Sequence, residues 1–138
     1  MNIFKKLIAL LVTMCLLFCV TGCDERYEPY DSFNPAGVVI VDCINGNQYL
    51  KTIDDAEFAD KMFVAYKKLK IDTDTEGELD SAYLYLEFYN KDKSTLLIFT
   101  IYENGSCCLG REYEELYTVE DGRKKYVELC DIYESYED

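Results

Sequence analysis

Asp72, Asp74, Glu76, Glu78 and Asp80 set five carboxylates at every second position of the stretch 72–80, with Gly77 among them. Oxygen donors at that spacing suit a hard cation such as calcium, which collects about six to eight oxygens around itself. A second constellation is aromatic. Ala82 to Tyr89 alternates strictly, so Ala82, Leu84, Leu86 and Phe88 fall on one side of a strand and Tyr83, Tyr85, Glu87 and Tyr89 on the other. Tyrosine rings beside a carboxylate offer broad contact area with polar tips, the chemistry of a recognition surface. In acidic surroundings that surface suits a cationic protein or peptide, or a glycan. The same rings would instead be core, with wet hydroxyls, if the sheet were covered on both sides.

The acidic stretch resembles the opening of an EF-hand calcium loop. Donors stand at positions one, three and five, glycine at six, an aliphatic residue at eight and Asp80 at nine, after a helix. It departs from that pattern at position twelve, where Tyr83 replaces the bidentate glutamate, and at position five, where Glu76 replaces a shorter side chain. A strand follows where the pattern has a helix. The resemblance therefore implies weak Ca2+ binding and no other cofactor. The plainer expectation for the same residues is a solvated connection between helix and sheet.

The chain has no histidine. That removes the usual general base, the serine–histidine and cysteine–histidine nucleophile pairs and the commonest zinc ligand. Hydrolysis by paired carboxylates needs only acids, but among 27 acidic residues a pair carries no information. The expectation is a protein without catalytic machinery.

The elements that must hold these residues read as follows. Val38 to Cys43 is a β-branched run bounded by Gly37 and by Asn45-Gly46-Asn47, a strand and turn, and Gln48 to Ile53 returns. Asp54 with Glu57, and Ile53 with Phe58, form a capping-box and staple arrangement opening a helix over about 54–70. Phe58, Met62, Ala65, Tyr66 and Leu69 make its core stripe, and Lys67, Lys68 and Lys70 gather where the helix dipole favours cations. After the strand 82–89 and a polar turn, Thr95 to Tyr102 is the most apolar strand and hence central. Asn104-Gly105 suits a two-residue hairpin into Ser106 to Gly110, and Tyr113 to Val119 is a weaker strand. Gly122 breaks the chain. Tyr126, Leu129, Cys130, Tyr133 and Tyr136 then mark a C-terminal helix over about 123–136, with a strand over 124–129 as the rival. These elements predict an α+β fold, a single antiparallel sheet with one inserted helix and one C-terminal helix packed on it.

At the other end, Lys5 and Lys6 precede an apolar run, Leu7 to Val20, that ends in Val20-Thr21-Gly22-Cys23 and passes at once to Asp24-Glu25-Arg26. A short positive segment, an apolar stretch and small residues before the cut make a secretory signal. The tetrad resembles the lipobox of bacterial lipoproteins. The resemblance covers residues 1–23 and implies a signal peptide over 1–22 and acylation of Cys23, which would anchor the chain on the extracytoplasmic face of the cell membrane. Two or more acyl chains hold a protein there stably, at about 0.8 kcal/mol per buried methylene. Residues 23–37 then make a lipidated tether, polar and carrying Pro29 and Pro35, and 38–138 a single domain.

With residues 1–23 gone, 12 basic and 27 acidic residues leave a formal charge of −15. That surface repels nucleic acid and attracts cationic partners. Four cysteines would remain, Cys43, Cys107, Cys108 and Cys130, none spaced as a zinc knuckle. An exported compartment permits a disulfide, Cys43 with Cys107 or Cys108, and equally four thiols. Alternation lets only one of the adjacent pair face inward. The functional expectation is a membrane-anchored, non-catalytic binding module. Its alternative is an inhibitor or immunity lipoprotein that neutralises a basic toxin or enzyme at the cell surface.

Overall fold

The β-branched run that opens the domain strand by strand does so because stiff, branched side chains fit a pleated surface better than a helix. In the computed structural model, residues 33–111 and 115–137 are described. The expected signal segment, Cys23 and the expected tether as far as residue 32 lie outside them, as does Tyr113. Residues Asn34–Asp138 form one compact unit. Strand β1 is Gly37–Ile44 and β2 is Asn47–Ile53, joined by Asn45 and Gly46 with φ of 53° and 79°. Two positive φ angles in a two-residue loop are the hairpin turn whose twist matches the strands.

Helix α1 follows, Ala56–Lys67, shorter at both ends than the expected 54–70. Its cap is Asp55 and not Asp54, since the Asp55 side chain accepts the Phe58 N–H at 3.1 Å. Asp54 is instead drawn to Lys93, 3.1 Å away. Beyond α1 lies a two-residue strand, β3 (Ile71–Asp72). Then come β4 (Tyr83–Tyr89), β5 (Thr95–Tyr102), β6 (Ser106–Leu109), β7 (Leu116–Val119) and helix α2 (Gly122–Glu134). Gly122 starts α2 rather than breaking the chain. A side chain there would meet the Gly105 backbone at 2.5 Å, so only glycine lets the helix start against that turn. Glu103-Asn104-Gly105 makes a three-residue turn, not the expected two-residue hairpin. Gly105 N–H bonds the Tyr102 carbonyl at 2.9 Å and only Gly105 takes a positive φ there.

All seven strands form one antiparallel sheet in the order β2-β1-β4-β5-β6-β7-β3. The architecture is α+β, with one inserted helix and one at the C-terminus. Pairing aligns Val38, Phe88 and Leu97 in one row and Ile40, Leu86 and Phe99 in the next. These rows face the helices. Phe63 of α1 meets Phe88 edge-on at 5.3 Å between centroids, and Tyr66 lies 4.9 Å from Phe99. Ile40, Ile53, Met62, Phe63, Leu84, Leu86, Phe88, Phe99, Ile101 and Leu129 are fully buried there. Each large apolar side chain so removed from water contributes about 1.5–3 kcal/mol. No described helix is long and apolar enough to cross a membrane.

Candidate functional site

The side of the sheet away from the helices carries the tyrosine face, and it is open over half its width. On β4, Tyr83, Tyr85 and Glu87 are half-buried, and Val39 and Val41 on β1 likewise. Beside them on β2, Gln48, Leu50 and Thr52 are exposed. Across β5 and β6 the same face closes: Thr100, Tyr102, Ser106 and Cys108 are all buried.

Glu87 organises the open half. Tyr85 donates to Oε2 at 2.8 Å, while Thr95 and Arg111 donate to Oε1 at 2.7 and 3.0 Å. Burial works to raise the Glu87 pKa, but Thr95, Tyr85 and Arg111 together overcome it and hold the carboxyl below its ordinary value. It is an anion fixed in place by three donors. Tyr83 accepts from the Gln48 side-chain amide and meets Tyr102 edge-on at 5.9 Å. The rings are thus anchored at their polar tips or edges rather than left loose.

Tyr89 does not belong to the open platform, although alternation puts it on the same side of the sheet. It is buried at the far end of β4, with its hydroxyl donating to Asp54 at 3.1 Å and Lys93 lying 4.8 Å over its ring. Burial, followed by the Asp54 carboxylate, pushes its pKa up to about 12. Gly37 makes the space: a Cβ there would fall 2.1 Å from the Tyr89 hydroxyl. Tyr89 fastens strand ends to the start of α1.

The acidic stretch does not gather into a calcium loop. Asp72 is in β3, and its carboxylate accepts the Asp74 N–H at 2.9 Å and the Thr75 hydroxyl at 2.7 Å. These bonds hold its pKa low. Asp80 accepts from Ser81 N–H at 2.7 Å and Asn104 N–H at 3.0 Å. Gly77 N–H bonds the Leu116 carbonyl and Glu78 N–H bonds Ser106 Oγ, at 3.0 and 2.9 Å. The stretch is therefore pinned along β6 and β7 and the 103–105 turn, and its acids are spread out. No three acidic or cysteine side chains among the described residues stand where they could share a metal ion.

Cys43, Cys107, Cys108 and Cys130 are thiols. Strands β4 and β5 separate β1 from β6, so Cys43 lies three strand spacings, about 14 Å, from Cys107 and Cys108. A disulfide needs Cα atoms within about 7 Å. Both members of the adjacent pair are buried, Cys107 on the helix side and Cys108 on the other, so alternation did not leave one in water. Burial pushes the Cys107 thiol up to about 12.

One polar residue escapes sequence reasoning. Asp42, 8 % exposed, lies on the helix side between Leu84 and Tyr49, with Oδ1 buried and lacking a hydrogen bond. Burial raises its pKa first and Glu134 second. Tyr126 and Cys130, one α2 turn apart, feel its charge too. Burial, and less strongly Asp42, push Cys130 up to about 11. The only sequence signal was an aspartate inside a β-branched run.

The chain matches no known family model, no curated protein and no solved structure.

Proposed function

We propose that the chain is an extracytoplasmic lipoprotein, acylated at Cys23, whose domain is a non-catalytic binding module for a cationic protein or peptide. The anchor rests on the agreement of Lys5-Lys6, the apolar run and Val20-Thr21-Gly22-Cys23. The binding role rests on one observation: Tyr83, Tyr85 and Glu87 are half-exposed beside the exposed Leu50, in a chain of formal charge −13. Tyrosines of that kind contribute contact area at low entropic cost, and the negative field draws in cations from beyond contact range.

Two measurements test the two halves. Cells fed labelled palmitate are expected to acylate the native chain and not Cys23→Ser; equal labelling overturns the anchor. A lysine-rich peptide is expected to bind at low salt and to leave as ionic strength rises, because screening shortens the field to about 10 Å at 0.1 M and 3 Å at 1 M. Binding indifferent to salt overturns the electrostatic role.

A further inference from the structure

The two margins of the sheet differ. One ends in β3, two residues long. The other ends in β2, seven residues long and exposed along most of its length, with Tyr49 57 % and Leu50 71 % accessible. No other described strand pairs with its outer side. The turn fixes which backbone groups point outward. Ile44 and Asn47 close a two-residue loop, which makes them a hydrogen-bonded pair. Pairing then alternates, so Tyr49 and Lys51 turn their amides toward β1, while Gln48, Leu50 and Thr52 turn theirs away. A long strand with outward N–H and C=O groups is a template for another strand.

Charge selects the occupant. The selecting charge is that of the chain as a whole, formally −13, and not that of β2, whose one charge is Lys51. The helix side of the same margin holds Asp42, buried with an unpartnered oxygen and in the field of Glu134. Asp42 pairs with Tyr49, so a residue on an added strand opposite Tyr49 would stand about 10 Å from it, two strand spacings. A long cationic side chain there points along the row to a buried carboxyl oxygen that has no hydrogen-bond partner. A second copy of this chain, with a formal charge of −13, meets repulsion instead. We infer that β2 receives an extended, cationic segment of a partner protein as an eighth strand. This deepens the proposed binding role and rests on it.

The test uses the full chain in non-ionic detergent and two labelled octapeptides, one alternating Lys with Val and one alternating Lys with Pro. They share charge, but proline cannot supply the ladder's donors. The Lys-Val peptide is expected to bind at least tenfold tighter. Leu50→Pro removes an amide that β1 does not use, and is expected to reduce Lys-Val binding to the Lys-Pro level with the melting temperature held. Should that variant unfold, slowed amide exchange at Gln48, Leu50 and Thr52 of the native chain on adding Lys-Val supports the strand, and unchanged exchange overturns it. Equal binding of both peptides, or full binding by a folded Leu50→Pro, overturns the added strand and leaves the acidic-surface role standing. If neither peptide binds, the acidic-surface role itself falls. Dimers in sedimentation that dissociate in Leu50→Pro would assign the margin to a second copy and overturn the inference.

Discussion

Asp42 and Glu87 are carboxylates on opposite sides of one sheet, and their surroundings push them in opposite directions. Glu87 has three donors and stays ionised. Asp42 has a buried oxygen without a donor, and Glu134 adds like charge. The folded-state pKa of Asp42 is raised from 3.8, so the folded chain holds this proton over a pH range where the unfolded chain has lost it. Stability from this residue is therefore fully present below about 4 and is lost as pH rises through the raised folded-state pKa. Asp42→Asn is expected to melt higher than the native chain at pH 7, with the difference shrinking as pH falls toward 4. Paired melting curves at the two pH values check this. A lower melting temperature for the asparagine variant at pH 7 would show that Asp42 has a stabilising partner.

At the scale of elements, period-two alternation made β4 and β5 legible, because apolar residues at every second position have one buried face to go to. Long-range partners decided what alternation could not. Tyr89 obeys the alternation, but the ladder shifts register at Phe88/Tyr89 and Gly37 leaves a slot, so the ring lies against Gly37, buried, with its hydroxyl on Asp54. Two adjacent aspartates could each cap α1, and Lys93, 39 residues away, engages the first and leaves Asp55 as the cap. Strand β3 has no local signal at all, since two residues become a strand only because Val119 and Thr118 lie beside them. The same dipeptide, Asn-Gly, makes a two-residue turn at 45–46 and part of a three-residue turn at 103–105. In the second, the Asn104 side chain holds Ser106 N–H and the Glu78 carbonyl, the latter a contact set by the acidic stretch that precedes the hairpin. The half-open tyrosine face was legible in its residues and not in its coverage, which depends on where the chain between β3 and β4 runs.

Over the whole molecule, 27 acidic residues face 14 basic ones. Ion pairs such as Lys70–Glu120 and Lys125–Glu128 join exposed or half-exposed groups, and pairs of that kind contribute at most about 1 kcal/mol each. They cannot offset repulsion among the many acids left over, which is greatest in the compact state and relaxes on unfolding. Salt weakens attraction and repulsion alike, but repulsive pairs are in the majority here. Raising sodium chloride from about 0.01 to 0.5 M, which shortens the screening length from about 30 Å to a few ångströms, is therefore expected to raise the melting temperature. The same titration should release a cationic peptide from the native chain, so stability and binding move in opposite directions with one variable. A melting temperature that falls with salt would mean that attractive pairs dominate the fold. The excess acid would then be spread too thinly to act on a partner at a distance.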